Sequence, residues 1–200
     1  MAQDENTLVK ITFLKKLIIL HGVGVGGGSL VYANTLLRPN QDVFNKESWK
    51  SCLSNWFEQL LPFYQVAEKM LGVQEVPKLH AGEIELKKLG KSLGCEETFK
   101  KTDVGVYFGE EGKEAKDPYF SGDGPSRVGC TYCGGCMIGC SVGAKNTLKK
   151  NYLHFALKWG TQILAERKVS KIIPLGEAGY RIEGVKTTAF SFLPGKKKFT

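Results

Sequence analysis

Residues 22–35 read Gly-Val-Gly-Val-Gly-Gly-Gly-Ser-Leu-Val-Tyr-Ala-Asn-Thr, and five of the seven residues from Gly22 to Gly28 are glycine. Gly22, Gly24 and Gly27 satisfy G-x-G-x-x-G, the pattern with which a strand turns into a helix beneath a dinucleotide pyrophosphate. The setting departs from that unit. About ten residues separate Gly28 from Pro39, too few for the usual crossover helix, and no clean second strand follows. Glu47 stands at the distance of a ribose-binding acid but opens what reads as a helix. Backbone without β-carbons can still approach a phosphate or a flat ring closely and aim its N–H groups at it. A flexible surface loop is the alternative, against which stand the apolar flanks Leu17–Leu20 and Leu30–Tyr32.

Working outward, the run from Val9 to Leu20 reads as a strand or a short buried helix, which periodicity alone does not separate. Trp49, Cys52, Leu53, Trp56, Phe57 and Leu60 have helical spacing over 48–60, with Ser48 a candidate N-cap. Pro62 opens a second helical stretch through Phe63, Val66, Ala67 and Met70, stopped by Gly72, and Glu83–Leu93 forms a third, ended by Gly94. Val104–Phe108 alternates like a strand, and 109–129 is a loop rich in Gly, Asp and Pro. Ala144–Trp159 reads as a helix with Leu148, Tyr152, Phe155, Ala156 and Trp159 on one face and Gly160 as its stop. Strand-like runs follow at Val169–Leu175, Tyr180–Val185 and Thr188–Leu193. The expected class is α+β.

The charge and the cysteines are unevenly placed. The 200 residues carry a formal charge of +8, yet residues 141–200 hold 12 basic and 3 acidic side chains, so the excess is regional. Lys145, Lys149, Lys150, Lys158, Arg167, Lys168 and Lys171 against Glu166 make either a nucleic-acid patch or a solvated helix face. The lysines are spread around the helix without interleaved aromatics, which favours the solvated face, and no nucleic-acid partner is expected. Of the six cysteines, Cys130, Cys133, Cys136 and Cys140 form C-x2-C-x2-C-x3-C, the ligand run of bacterial ferredoxins. A [4Fe-4S] cluster, zinc and reduced structural thiols are the readings of this run. Ser141 replaces the proline that follows a ferredoxin's fourth cysteine, and no second run is present. His21, His80 and His154 lack a Ser or Asp at triad spacing. No stretch approaches the roughly 20 apolar residues of a membrane-spanning helix, and Asp4 and Glu5 disrupt a secretory n-region. A cytoplasmic location is the expectation.

The segment Gly22–Thr35 resembles the flavin-covering segment of the glucose–methanol–choline (GMC) oxidoreductases, in their bacterial cholesterol oxidase-like branch. The resemblance continues collinearly through Val104-Gly-Val-Tyr-Phe-Gly109, Asp117-Pro-Tyr-Phe120, Gly124-Pro125, Arg127, Gly129–Cys140, Gly143-Ala-Lys-Asn-Thr-Leu148, Lys150-Asn-Tyr-Leu153, Val169 and Gly179-Tyr180. The cysteine run is part of that branch's pattern and does not require a ferredoxin domain. The resemblance implies part of an α/β FAD-binding domain and oxidation of an alcohol carbon, steroid alcohols foremost, with FAD as cofactor. Cofactor contacts carry over to Gly24, Gly26, Gly27, Gly28, Ser29, Tyr32, Ala33, Asn34 and Thr35, and to Val169 at the adenine end. It also implies an internal slice over residues 1–200: a loop at 22–35, a helical and loop insertion at 48–129, the cysteine loop at 130–140, and a helix with β-rich segment at 144–200. The N-terminal dinucleotide-binding βαβ unit and most of the substrate domain are absent from that slice. No catalytic acid–base residue is assigned, and the slice is expected to be inactive alone. An iron–sulfur electron-transfer protein is the alternative function.

Overall fold

The computed structural model describes residues 8–50, 55–186 and 198–199. The chain divides into two units, Met1–Trp159 and Gly160–Thr200; among the described residues the first holds three two-stranded sheets and the second one three-stranded sheet.

In the first unit, β1 (Leu8–Leu14) and β2 (Leu17–Val23) form an antiparallel hairpin in which Leu14 pairs with Leu17. The apolar run that suggested one strand or a helix is therefore two strands folded at Lys15-Lys16. Apolar residues continue on both sides of the two lysines, which hides the break from a period-2 reading. Strand β2 runs into the glycine segment, where Gly26 has φ +112 and Gly27–Leu30 makes a 3₁₀ turn. Short helices α1 (Gln41–Phe44) and α2 (Glu47–Lys50) follow, then α3 (Trp56–Leu71). The expected helix over 48–60 falls partly on residues outside those described. Pro62 does not open a helix but lies inside α3. Its ring forfeits one backbone bond there, while the helix goes on to end in a left-handed Gly72, φ 61, whose N–H bonds back to Glu68 and Lys69.

Strand β3 (Gln74–Glu75) pairs antiparallel with β4 (Asp103–Val104). Between them lies α4 (Ala81–Ser92), where the Glu83 carboxylate accepts the His80 backbone N–H at 2.9 Å. This capping contact starts the helix two residues before the sequence expectation. Strands β5 (Glu114–Ala115) and β6 (Arg127–Val128) close the loop 109–129 as a small hairpin. Inside it the Asp117 carboxylate accepts backbone N–H groups of Tyr119, Phe120, Gly122 and Gly124 at 2.9–3.1 Å.

The core of this unit is Val104, Val106 and Ala144, with Val76, Phe108, Cys130, Cys140 and Val142 packed against it. Its placement explains why the expected helix Ala144–Trp159 is shorter. Tyr107 N–H donates to Ala144 O at 3.0 Å, and Asn146 N–H donates to Gly105 O at 2.8 Å. Residues 144–146 are thus committed to an extended pairing with 105–107. Helix begins only after it, as a 3₁₀ turn at Leu148–Lys150 and α5 (Tyr152–Lys158). Asn151 Oδ1 accepts the Tyr152 N–H at the start of α5, and Phe155 packs edge-on to Phe120 with centroids 4.9 Å apart.

The second unit is a three-stranded antiparallel sheet in the order β7 (Arg167–Pro174), β8 (Tyr180–Lys186), β9 (Lys198–Phe199). A turn at Gly176–Ala178 joins the first two. The strand expected at Thr188–Leu193 lies outside the described residues.

Candidate cofactor segment and its support

The glycine segment is bent by its own backbone. Gly27 N–H donates to Gly24 O, Ser29 N–H to Gly26 O, and both Val31 and Tyr32 N–H to Gly28 O, all at 3.0–3.1 Å. The Ser29 hydroxyl donates to Gly26 O at 2.7 Å and accepts the Leu148 N–H at 3.0 Å. Among the residues singled out for cofactor contact, Gly24, Gly28, Ala33 and Thr35 are exposed, whereas Gly26, Gly27, Ser29, Tyr32 and Asn34 are half-buried. Val169 is exposed on β7, in the other unit.

The glycines differ in what the fold demands of them. A β-carbon at Gly22 would stand 2.6 Å from Gly27 O, so that position is closed by backbone. Gly26 and Gly27 have positive φ. Gly28 has neither constraint: its φ is not left-handed, and a β-carbon there would meet nothing within 4 Å.

Tyr32 turns inward. Its phenol donates to Asn146 O at 2.7 Å, its N–H is used by Gly28 O, and its carbonyl accepts Lys145 Nζ at 3.1 Å. Burial, followed by the nearby Cys136, Tyr119 and Cys140, pushes the phenol's pKa far up, so it stays protonated. Asn34, at φ 72, donates from Nδ2 to Cys136 Sγ at 3.2 Å. Thr35 bridges to Val104.

Beneath this segment lie buried polar residues that sequence reading did not single out as a site. Lys145 is 1% exposed, so it does not belong to a solvated helix face. Its ammonium donates to Leu30 O at 3.0 Å, Tyr32 O at 3.1 Å and Cys136 O at 2.6 Å, and lies 4.9 Å from the Tyr32 ring centroid. Burial lowers its pKa, against the pull of Cys136 and Cys140. Arg127, also 1% exposed, donates to Asn146 Oδ1 at 2.8 Å, Pro125 O at 2.6 Å and Lys150 O at 2.7 Å. Other lysines of the face expected to be solvated are engaged too: Lys158 pairs with Asp123 at 2.6 Å, and Lys150 donates to Gly143 O. The only sequence signal for Arg127, Lys145 and Asn146 was their presence in the strings that carry the family resemblance.

The cysteine loop is tied to the same core. Cys130 Sγ accepts the Tyr132 N–H at 3.4 Å, and Cys140 Sγ accepts the N–H groups of Ala144 and Lys145 at 3.2 and 3.4 Å. Cys136 accepts from Asn34, and Cys133 is exposed; all four are free thiols. Among the described residues, no group of three or more His, Cys, Asp or Glu side chains is placed to hold a metal ion. The iron–sulfur and zinc readings of Cys130, Cys133, Cys136 and Cys140 therefore find no support in the geometry. Core packing and backbone N–H bonds give Cys130 and Cys140 a structural account, and the Asn34 side-chain amide gives one to Cys136. No described helix is long and apolar enough to cross a membrane.

The family model described as GMC oxidoreductase matches residues 5–112 and 125–198. A cholesterol oxidase of Acinetobacter baumannii is 42% identical over 179 residues, covering 85% of this chain and 32% of that protein. A cholesterol oxidase of Mycobacterium tuberculosis (strain CDC 1551 / Oshkosh) is 41% identical over 179 residues, covering 87% of this chain and 31% of that protein. The chain thus spans about a third of the length of the curated relatives it matches. A match over most of the chain, collinear with the glycine segment, the buried Arg127 and Lys145 and the cysteine loop, shows that this chain belongs to the GMC oxidoreductases.

Proposed function

We propose that this chain forms the flavin-covering part of an FAD-dependent oxidoreductase acting on CH–OH groups, with steroid alcohols as the substrate class. FAD is the cofactor of the family, and the substrate class follows the similarity to two cholesterol oxidases. The observation that carries the cofactor reading is Gly28. The fold requires a glycine there neither for its φ nor for space, whereas a planar ligand laid along the segment would require the missing β-carbon.

When bound, FAD supplies the acceptor for the hydride leaving the alcohol carbon. The residues of this chain hold the segment in shape for it. Gly24, Gly28, Ala33 and Thr35 offer the exposed surface, and Gly26, Gly27, Ser29, Tyr32 and Asn34 fix the backbone from beneath. Val169 is proposed to meet the adenine end. No proton-transferring residue is assigned within these residues; His21 is half-buried, with its Nε2 3.2 Å from Thr12 Oγ1.

The test is to purify the whole protein carrying this chain, record its visible spectrum, and add a steroid alcohol without oxygen. A flavin spectrum that bleaches is the expected result. A protein that remains colourless and takes up no FAD overturns the cofactor reading, and flavin that no steroid alcohol bleaches overturns the substrate class.

A further inference from the structure

We propose that Lys145 is a positioning residue through which the cysteine-rich loop sets the cofactor affinity of the glycine-rich segment; this rests on the cofactor reading given above.

Three observations meet at this side chain. An ammonium has three N–H donors and no acceptor, and Lys145 spends them on Leu30 O and Tyr32 O of the glycine segment and Cys136 O of the cysteine loop. Its own backbone is held by a bridge to Val106 and by the contact of its N–H with Cys140 Sγ. Among the described residues, no carboxylate forms an ion pair with it. A buried cation compensated by carbonyl dipoles and one aromatic face, with no carboxylate, is costly. An apolar side chain of similar length would fill the space but leave Leu30 O, Tyr32 O and Cys136 O without this donor, so the hydrogen bonds and not the packing call for lysine. What the ammonium adds is direction: it fixes where three carbonyls from two distant loops must point.

A second link runs parallel to it. Asn34 Nδ2 donates to Cys136 Sγ at 3.2 Å, so residue 136 holds the glycine segment through its side chain as well as its carbonyl. Displacement of the loop at Cys136 would take one of three acceptors from the ammonium that holds Leu30 O and Tyr32 O, and would free the Asn34 amide on the far side of the exposed Ala33. The two loops are therefore thermodynamically linked. A cofactor that favours the ordered glycine segment must also favour the ordered cysteine loop, by the reciprocity of coupled equilibria.

The experiment uses the whole protein, wild type and with Lys145→Gln and Lys145→Met, and reads two quantities. The first is the Kd for FAD, from quenching of flavin fluorescence on the folded fraction. The second is the rate of maleimide labelling at Cys136, resolved by peptide mass spectrometry, with and without FAD. Expected are a Kd raised about tenfold or more in both variants, faster labelling of Cys136 in both without FAD, and FAD protection of Cys136 in the wild type that the variants lose. A wild-type Kd in the folded variants, or a labelling rate indifferent to both substitution and FAD, overturns the proposal. The FAD-free comparison of labelling tests the clamp even if the wild type takes up no FAD, in which case the cofactor reading fails by itself.

Discussion

The phenolic oxygen of Tyr32 lies 2.7 Å from the backbone carbonyl of Asn146 and donates to it across 114 residues of sequence. A β-carbon at Gly105 would stand 2.6 Å from that oxygen, so the glycine at 105 makes the room into which the phenol reaches. Tyr32→Phe keeps the ring and deletes the donor, leaving the carbonyl of a buried residue short of a partner. It is expected to lower stability by about 1–2 kcal/mol, read as a lower denaturant midpoint with an unchanged slope.

Arg127 gathers Asn146 Oδ1, Pro125 O and Lys150 O around one guanidinium, which also lies 5.4 Å from the Tyr119 ring centroid. Arg127→Met strands these acceptors in a buried site and is expected to cost about 3 kcal/mol or more. Arg127→Lys should recover only part of that loss, because an ammonium cannot reproduce the planar fork. Equilibrium unfolding of the two variants checks the order.

Asp117 supplies a pH signature. Its burial acts to raise its pKa, but the N–H groups of Gly124, Tyr119, Gly122 and Phe120 outweigh this and hold it below the usual aspartate range. A carboxyl depressed in the folded state contributes stability that is fully present above its unfolded pKa and is lost as pH falls through the folded value. Asp117→Asn should therefore lower the melting temperature at neutral pH, by the equivalent of about 1–2 kcal/mol after solvent screening. The difference from wild type should vanish in acid, as the wild-type carboxyl protonates. A gap that stays constant from neutral pH into acid would refute this role.

The parts of the molecule differ in how far they could be read from the residues. Helix α4 and the β7–β8 pair were legible because polar turns with Gly bound short periodic runs. The hairpin at Lys15-Lys16 was not, since two lysines carry no turn preference and apolar residues continue on both sides of them. Nor was the break at Ala144–Asn146, whose apolar and polar spacing suits a helix; only the distant partners at 105–107 pull it into extended pairing. The glycine and cysteine motifs were each visible as strings. Their connection was not, because Lys145 looks like any surface cation until the carbonyls of Leu30 and Tyr32 are brought to it across 115 and 113 residues of sequence.

The comparison of Gly28→Ala with Gly105→Ala tests the central claim most directly. At Gly105 a β-carbon collides with Tyr32 and with Leu36 at 2.9 Å, whereas at Gly28 it meets open space. Gly105→Ala is expected to destabilise the protein. Gly28→Ala should leave its melting temperature unchanged or slightly raised while weakening FAD binding about tenfold or more. A Gly28→Ala protein that binds FAD as tightly as the wild type would contradict the assignment of this segment as the cofactor's resting surface.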